Sequence, residues 1–143
     1  MAVTFESTTR TTIGMTELFD LSRSIDAHRD SMARSREEAV GGVTSGLISL
    51  GEDVTWRAWH FGLPIRMTSR ITEMQAPHCF VDEQVRGPFL RFRHVHEFSA
   101  DPAGTVMVDR IEFAAPFGLL GRLAEKLFLA RSSANSLRRA TCT

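Results

Sequence analysis

Apolar and polar positions alternate at the start of the chain, with Val3, Phe5 and Ser7 set against Thr4 and Glu6, the period of a short strand. The period then changes. Thr16 and Glu17 precede Leu18, Phe19, Leu21, Ile25 and Met32 at roughly helical spacings, and Ser24 followed by Asp26 can open a second helix. One or two short helices are expected between residues 16 and 32. From 36 to 50, Gly41, Gly42 and Gly46 interrupt the apolar residues, which predicts a glycine-rich bulged strand or a loop.

Strands follow in succession: Asp53 to Phe61, Ile65 to Glu73, His78 to Val85, Phe89 to Phe98 and Thr105 to Phe113. Turn signals bound them at Gly51, Gly62 to Pro64, Ala76-Pro77, Gly87-Pro88 and Asp101 to Gly104. Connections this short join antiparallel neighbours. After Pro116 and Gly118, the residues Leu120, Leu123, Leu127, Ala130, Ala134 and Leu137 recur every three or four positions, one face of a helix of about 20 residues. The fold class expected is α+β: a curved antiparallel sheet of about six or seven strands wrapped around a long C-terminal helix near 118 to 139, with short helices near the N-terminus.

A strand that meets a helix on one face and water on the other reveals its phase by alternation. Val54, Trp56, Ala58 and His60 make the better inward face of the first long strand, and Met67, Ser69 and Ile71 that of the next. The clearest alternation sets Phe92, His94, His96 and Phe98 against Arg91, Arg93, Val95 and Glu97. In the last strand Met107, Asp109, Ile111 and Phe113 share a face, so an acid falls on the apolar side. The strand from His78 is ambiguous, because Phe80, Asp82 and Gln84 compete with Cys79, Val81, Glu83 and Val85; the set with Asp82 inward is preferred. The interior is therefore expected to be partly polar, and Asp109, as a buried carboxylate, is expected within hydrogen-bond reach of His94 or His96.

Composition narrows the function classes. The 143 residues are one domain's length, and 17 basic residues balance 17 acidic ones, which argues against a general attraction to nucleic acid or to an anionic membrane. Only Lys126 among the basic residues is a lysine, an imbalance that GC-rich coding explains. The N-terminus has no apolar signal region and no stretch of about 18 apolar residues occurs, so no membrane insertion is expected and a cytoplasmic location is. Cys79 and Cys142 lie far apart and Cys142 sits in a tail expected to be mobile. Neither a disulfide nor a thiolate zinc site is expected, and Cys79 reads as an inert strand residue. The run Gly41 to Gly46 lacks the spacing of a nucleotide-binding loop.

The segment Glu52 to Arg131 resembles the START-like or SRPBCC superfamily, specifically its small bacterial polyketide cyclase/dehydrase-like members. The residues that carry the resemblance are Val54-Thr55-Trp56-Arg57-Ala58, His60-Phe61-Gly62, the run from Phe80 to Phe98, Gly104 to Asp109, and Pro116 to Gly121 in that order. It implies one helix-grip domain over 1–143 with a cavity between sheet and C-terminal helix for an apolar or amphipathic small molecule. No catalytic residue carries over from the superfamily, no cofactor is implied, and a homodimer is compatible with it. Residues expected to line the cavity are Trp56, His60, Met67, Asp82, Gln84, Phe92, His94, His96, Met107, Asp109, Leu123 and Leu127.

Two other readings stand beside binding: a cyclase- or dehydrase-like enzyme using His94 or His96 with Asp109, and an interaction or dimerisation module with a filled core. The His94-x-His96 pair has three readings of its own, namely structural pairing with Asp109 or Asp82, ligand contact, and a metal site completed by His60 or Asp109; no metal is assigned. Trp56 reads as core before ligand platform, Trp59 as cover for the outer sheet surface or for a partner, and Arg91 and Arg93 as solvated or paired with Glu97.

Overall fold

The computed structural model describes residues 2–33, 36–60, 62–116 and 142, with His60 described by its backbone alone. The expected C-terminal helix, including Leu123 and Leu127, lies outside the described residues, as does the His60 side chain.

Among the described residues seven strands form one antiparallel sheet: β1 (Ala2–Thr11), β2 (Glu38–Gly42), β3 (Asp53–His60), β4 (Leu63–Gln75), β5 (Cys79–Arg86), β6 (Arg91–Asp101) and β7 (Gly104–Ala114). Their order across the sheet is β1-β7-β6-β5-β4-β3-β2. The strands β3 to β7 therefore run as a meander of hairpins, as the short turns require. The first two strands, β1 and β2, close the two edges, and between them in the chain come α1 (Met15–Ser22) and α2 (Ile25–Ser31).

The helix α1 starts after Gly14 with no side-chain cap, whereas α2 starts where the sequence signals it. The Ser24 hydroxyl caps α2 by accepting from the Ala27 N–H at 3.2 Å. The glycine-rich stretch becomes the bulged edge strand β2, whose register slips between Ala39 and Gly41. Gly42 there has φ +68°, and a Cβ would run into the Asp53 carbonyl oxygen, so only glycine fits.

The helix α1 lays Leu18 and Phe19 on the inner face of the sheet. Phe19 is 1% exposed and packs edge-on to Phe80 and Phe98, both at 5.4 Å between ring centroids. Ile25, Ile48, Val54 and Ile71 complete this core. The β4–β5 pairing also slips, between Thr68 and Ser69 and again between Ile71 and Glu73, and the second bulge returns Met74 to the inner face opposite Phe80.

The outer face corrects two expectations. Cys79 and Cys142 form a disulfide across 63 positions of sequence, with their Cα atoms 5.8 Å apart. Separation along the chain says nothing of distance after folding, and the bond sits on a small apolar patch with Val81 and Val95, which are 0% and 1% exposed. Arg93 is also not solvated. It is 4% exposed and lies 3.3 Å from a Glu73 oxygen and 3.4 Å from a Glu83 oxygen, while Glu97 accepts from Arg110 at 2.6 Å and Arg91 lies 3.6 Å from Glu112. Cross-strand neighbours set these pairs, because register places Glu83 directly opposite Arg93.

Candidate histidine and carboxylate site

Three adjacent strands place four ionisable groups on the inner face. Directly opposed residues in an antiparallel pair share a face, and the register opposes Asp82 with His94, Phe80 with His96, and His96 with Asp109. Asp82 from β5 and Asp109 from β7 therefore sit at opposite corners of the His94–His96 pair on β6. Each imidazole has one carboxylate straight across and the other on the diagonal.

The contacts close into a ring. His96 Nε2 lies 2.8 Å from Asp82 Oδ2 and its Nδ1 lies 3.0 Å from Asp109 Oδ1. His94 Nε2 lies 3.0 Å from the same Asp109 oxygen, and its Nδ1 is 3.8 Å from Asp82 Oδ2. The two imidazoles stack with centroids 3.7 Å apart, and Phe80 stacks on His96 at 4.1 Å. The side chains of the four groups retain between 11% and 20% of their exposure, so the cluster is enclosed but reachable.

Charge follows from these contacts. Burial would push His96 toward its neutral form, yet hydrogen bonds to Asp109 and Asp82 outweigh it and hold the imidazolium up to a pKa of about 9. Burial would likewise raise Asp109, but the hydrogen bonds from His94 and His96 hold its carboxyl well below the usual range. Asp82 is lowered in the same way, against burial, by the His96 hydrogen bond and by the positive potential of His94, His96 and His28. The cluster can hold an anion, a polar end group or a cation, and it can pass a proton between imidazole and carboxylate.

The remaining expected residues divide. Met107 sits under α1, where the Ser22 hydroxyl reaches its sulfur at 3.5 Å, and Trp56 packs on the core and against the His28 ring at 4.5 Å. Phe92 lies beside Phe89 at 5.4 Å and opposite Phe113. Gln84 points back at its own hairpin, donating to the Phe89 carbonyl at 2.8 Å and accepting from the Phe89 N–H at 3.2 Å. Met67 is half-buried opposite Trp56. His28, on a helix with no pattern to mark it, was not singled out from sequence. Ser69, read from alternation as inward but not as a site residue, is 4% exposed with its hydroxyl lacking any hydrogen-bond partner among the described residues. A buried orphan hydroxyl cannot be seen without the structure.

A hollow of about 300 Å³ lies elsewhere, around the disulfide at the turn from β4 to β5, lined by Gln75, His78, Glu97, Ser99 and Val108. No protein-family profile matches the chain, and no curated protein matches it in sequence. Solved structures do match in shape. Ara h 8.0201 aligns with a TM-score of 0.60 and 13% identity over 88% of this chain and 89% of that one. A protein of Thermus thermophilus aligns at 0.65 and 16% over 91% and 85%, and the major latex-like protein 151 of Panax ginseng at 0.59 and 11% over 91% and 93%. These likenesses define the class by shape: the chain has the Bet v 1-like, START-like (SRPBCC) fold. Among the described residues no helix is long and apolar enough to cross a membrane.

Proposed function

We propose that this chain, as a single START-like domain over 1–143, binds a small apolar or amphipathic molecule against the inner face of the sheet. The observation that carries the reading is the histidine and carboxylate ring set among apolar side chains. Phe80 stacks on it, Ile71 and Ile111 flank it in register with Asp82 and His94, and Phe98 and Met107 form the next cross-strand pair. Such a surface takes the apolar body of a ligand by burial and its polar end by hydrogen bonding. The unpartnered Ser69 hydroxyl on the same face supports it, since a buried hydroxyl without a partner costs roughly 1–3 kcal/mol that a ligand or water would relieve.

Calorimetric titration with a panel of amphipathic carboxylic acids, alcohols and aromatic ketones tests the proposal. Binding to the wild-type chain that weakens at least tenfold in Asp109→Asn, at unchanged circular dichroism, is the expected result. Absence of binding across the panel counts against it. The second reading, a cyclase- or dehydrase-like enzyme, is favoured by one observation, the 3.0 Å contacts from both imidazoles to Asp109. Turnover of poly-ketone substrates that disappears in His94→Ala and His96→Ala would select it. The disulfide supports an oxidising compartment over the cytoplasmic location read from the sequence.

A further inference from the structure

We propose that Asp82, His94 and His96 form a binding site for a first-row divalent cation, zinc being the best-matched, with Asp109 behind them as the orienting carboxylate. The argument starts from what Asp109 does to the two rings. A carboxylate oxygen accepts and does not donate, so its contacts at 3.0 Å with His94 Nε2 and with His96 Nδ1 make both of those nitrogens donors. By the same rule His96 Nε2, 2.8 Å from Asp82 Oδ2, is a donor while His96 is an imidazolium; once an incoming cation displaces that proton, the lone pairs fall on His94 Nδ1 and His96 Nε2. Both of these atoms face Asp82, at 3.8 Å and 2.8 Å from its Oδ2. One carboxylate thus fixes two tautomers so that two nitrogens and a second carboxylate converge, which is the role an outer-shell acid plays behind metal-ligating histidines.

Distances agree with that role. The three ligand atoms all lie within 4.8 Å of one another. Zinc bonds to nitrogen and oxygen of about 2.0–2.2 Å place neighbouring donor atoms roughly 3 Å apart, and the separations of 2.8 Å and 3.8 Å bracket that value. An ion seated there takes the place of the proton held between His96 and Asp82. Charge agrees as well, because two carboxylates and two neutral imidazoles sum to two negative charges that a divalent cation cancels in a site poorly exposed to water. Two imidazoles and one carboxylate are borderline ligands suited to zinc and its first-row neighbours and poorly suited to calcium or magnesium. Three protein ligands leave a fourth position open. The site stands whether or not an apolar molecule binds beside it.

The test uses tag-free full-length protein stripped with a chelator and titrated with zinc by calorimetry and with cobalt by visible absorption. One ion per chain and a tetrahedral cobalt spectrum are expected, both lost in Asp82→Asn and in His94→Ala. Asp109→Asn should keep one ion per chain and bind it 10–100-fold more weakly. X-ray absorption of the wild-type zinc adduct reads the site without any variant, and an imidazole-containing shell free of sulfur is expected. No uptake by the wild-type chain, uptake unaffected by Asp82→Asn and His94→Ala when both are folded, or a sulfur shell pointing to the cysteines would each overturn the proposal.

Discussion

The inner and outer faces of β5, β6 and β7 carry two ionic arrays built on the same backbone, and they differ in the kind of cation. Outside, Arg93, Arg110 and Arg91 meet Glu73, Glu83, Glu97, Glu6 and Glu112. Guanidinium groups stay charged at every working pH, so these pairs hold strands in register and do little else. Inside, His94 and His96 meet Asp82 and Asp109, and imidazole can lose its proton, bind a metal through a lone pair or hand a proton on. Similar strand pairing with different chemistry leaves one face with permanently charged pairs and the other with groups that can exchange a proton. Breaking the faces one at a time should therefore give different kinds of effect as well as different sizes.

The largest effect is expected where the inner face rests on the core. Phe80→Ala removes the ring that stacks on His96 and packs on Phe19 and Phe98, and should cost about 3–5 kcal/mol of unfolding free energy in chemical denaturation. A loss below about 1 kcal/mol would mean that the ring is not part of a packed interior.

Next comes pH, followed through the shifted groups of the inner face. In metal-free protein the His96 pKa is raised from 6.5 to about 9, so its contribution is fully present below pH 6.5 and is lost as pH rises through 9. Asp82 and Asp109 are lowered from 3.8, so theirs is present above pH 3.8 and is lost as pH falls further. Denaturation midpoints should thus be highest between these limits, and His96→Gln should flatten the alkaline decline. The smallest effect belongs to the outer face. Arg110→Gln breaks part-exposed pairs with Glu6 and Glu97 and should cost roughly 0.2–1 kcal/mol per pair, less in high salt.

The inner face was the more legible of the two in the sequence. Clean alternation from Phe92 to Phe98 and from Met107 to Phe113 placed both histidines and Asp109 inward, and the short turn at Asp101 to Gly104 made their strands neighbours. β5 was harder to phase for a physical reason. Phe80 and Val81 are 2% and 0% exposed, so this strand is buried on both sides and carries no clean alternation. The outer face was read poorly, because nothing local reveals that Arg93 is covered or that Cys79 meets a cysteine 63 positions away. Gln84 was legible as an inward residue, but its capture by the Phe89 backbone depends on the shape of the hairpin. The helices were legible from spacing and from Ser24, whereas the slip after Ile71 left no mark in residue type.

The central claim is that a small molecule is received on the inner face, at the histidine and carboxylate ring, and not in the hollow beside the disulfide. Histidines mark both places: His94 and His96 inside, His78 at the hollow. The direct measurement is imidazole nitrogen NMR during titration with an amphipathic compound that binds in calorimetry. The signals of His94 and His96 should shift in proportion to occupancy while those of His78 stay in place. Movement of His78 with His94 and His96 unchanged would contradict the account.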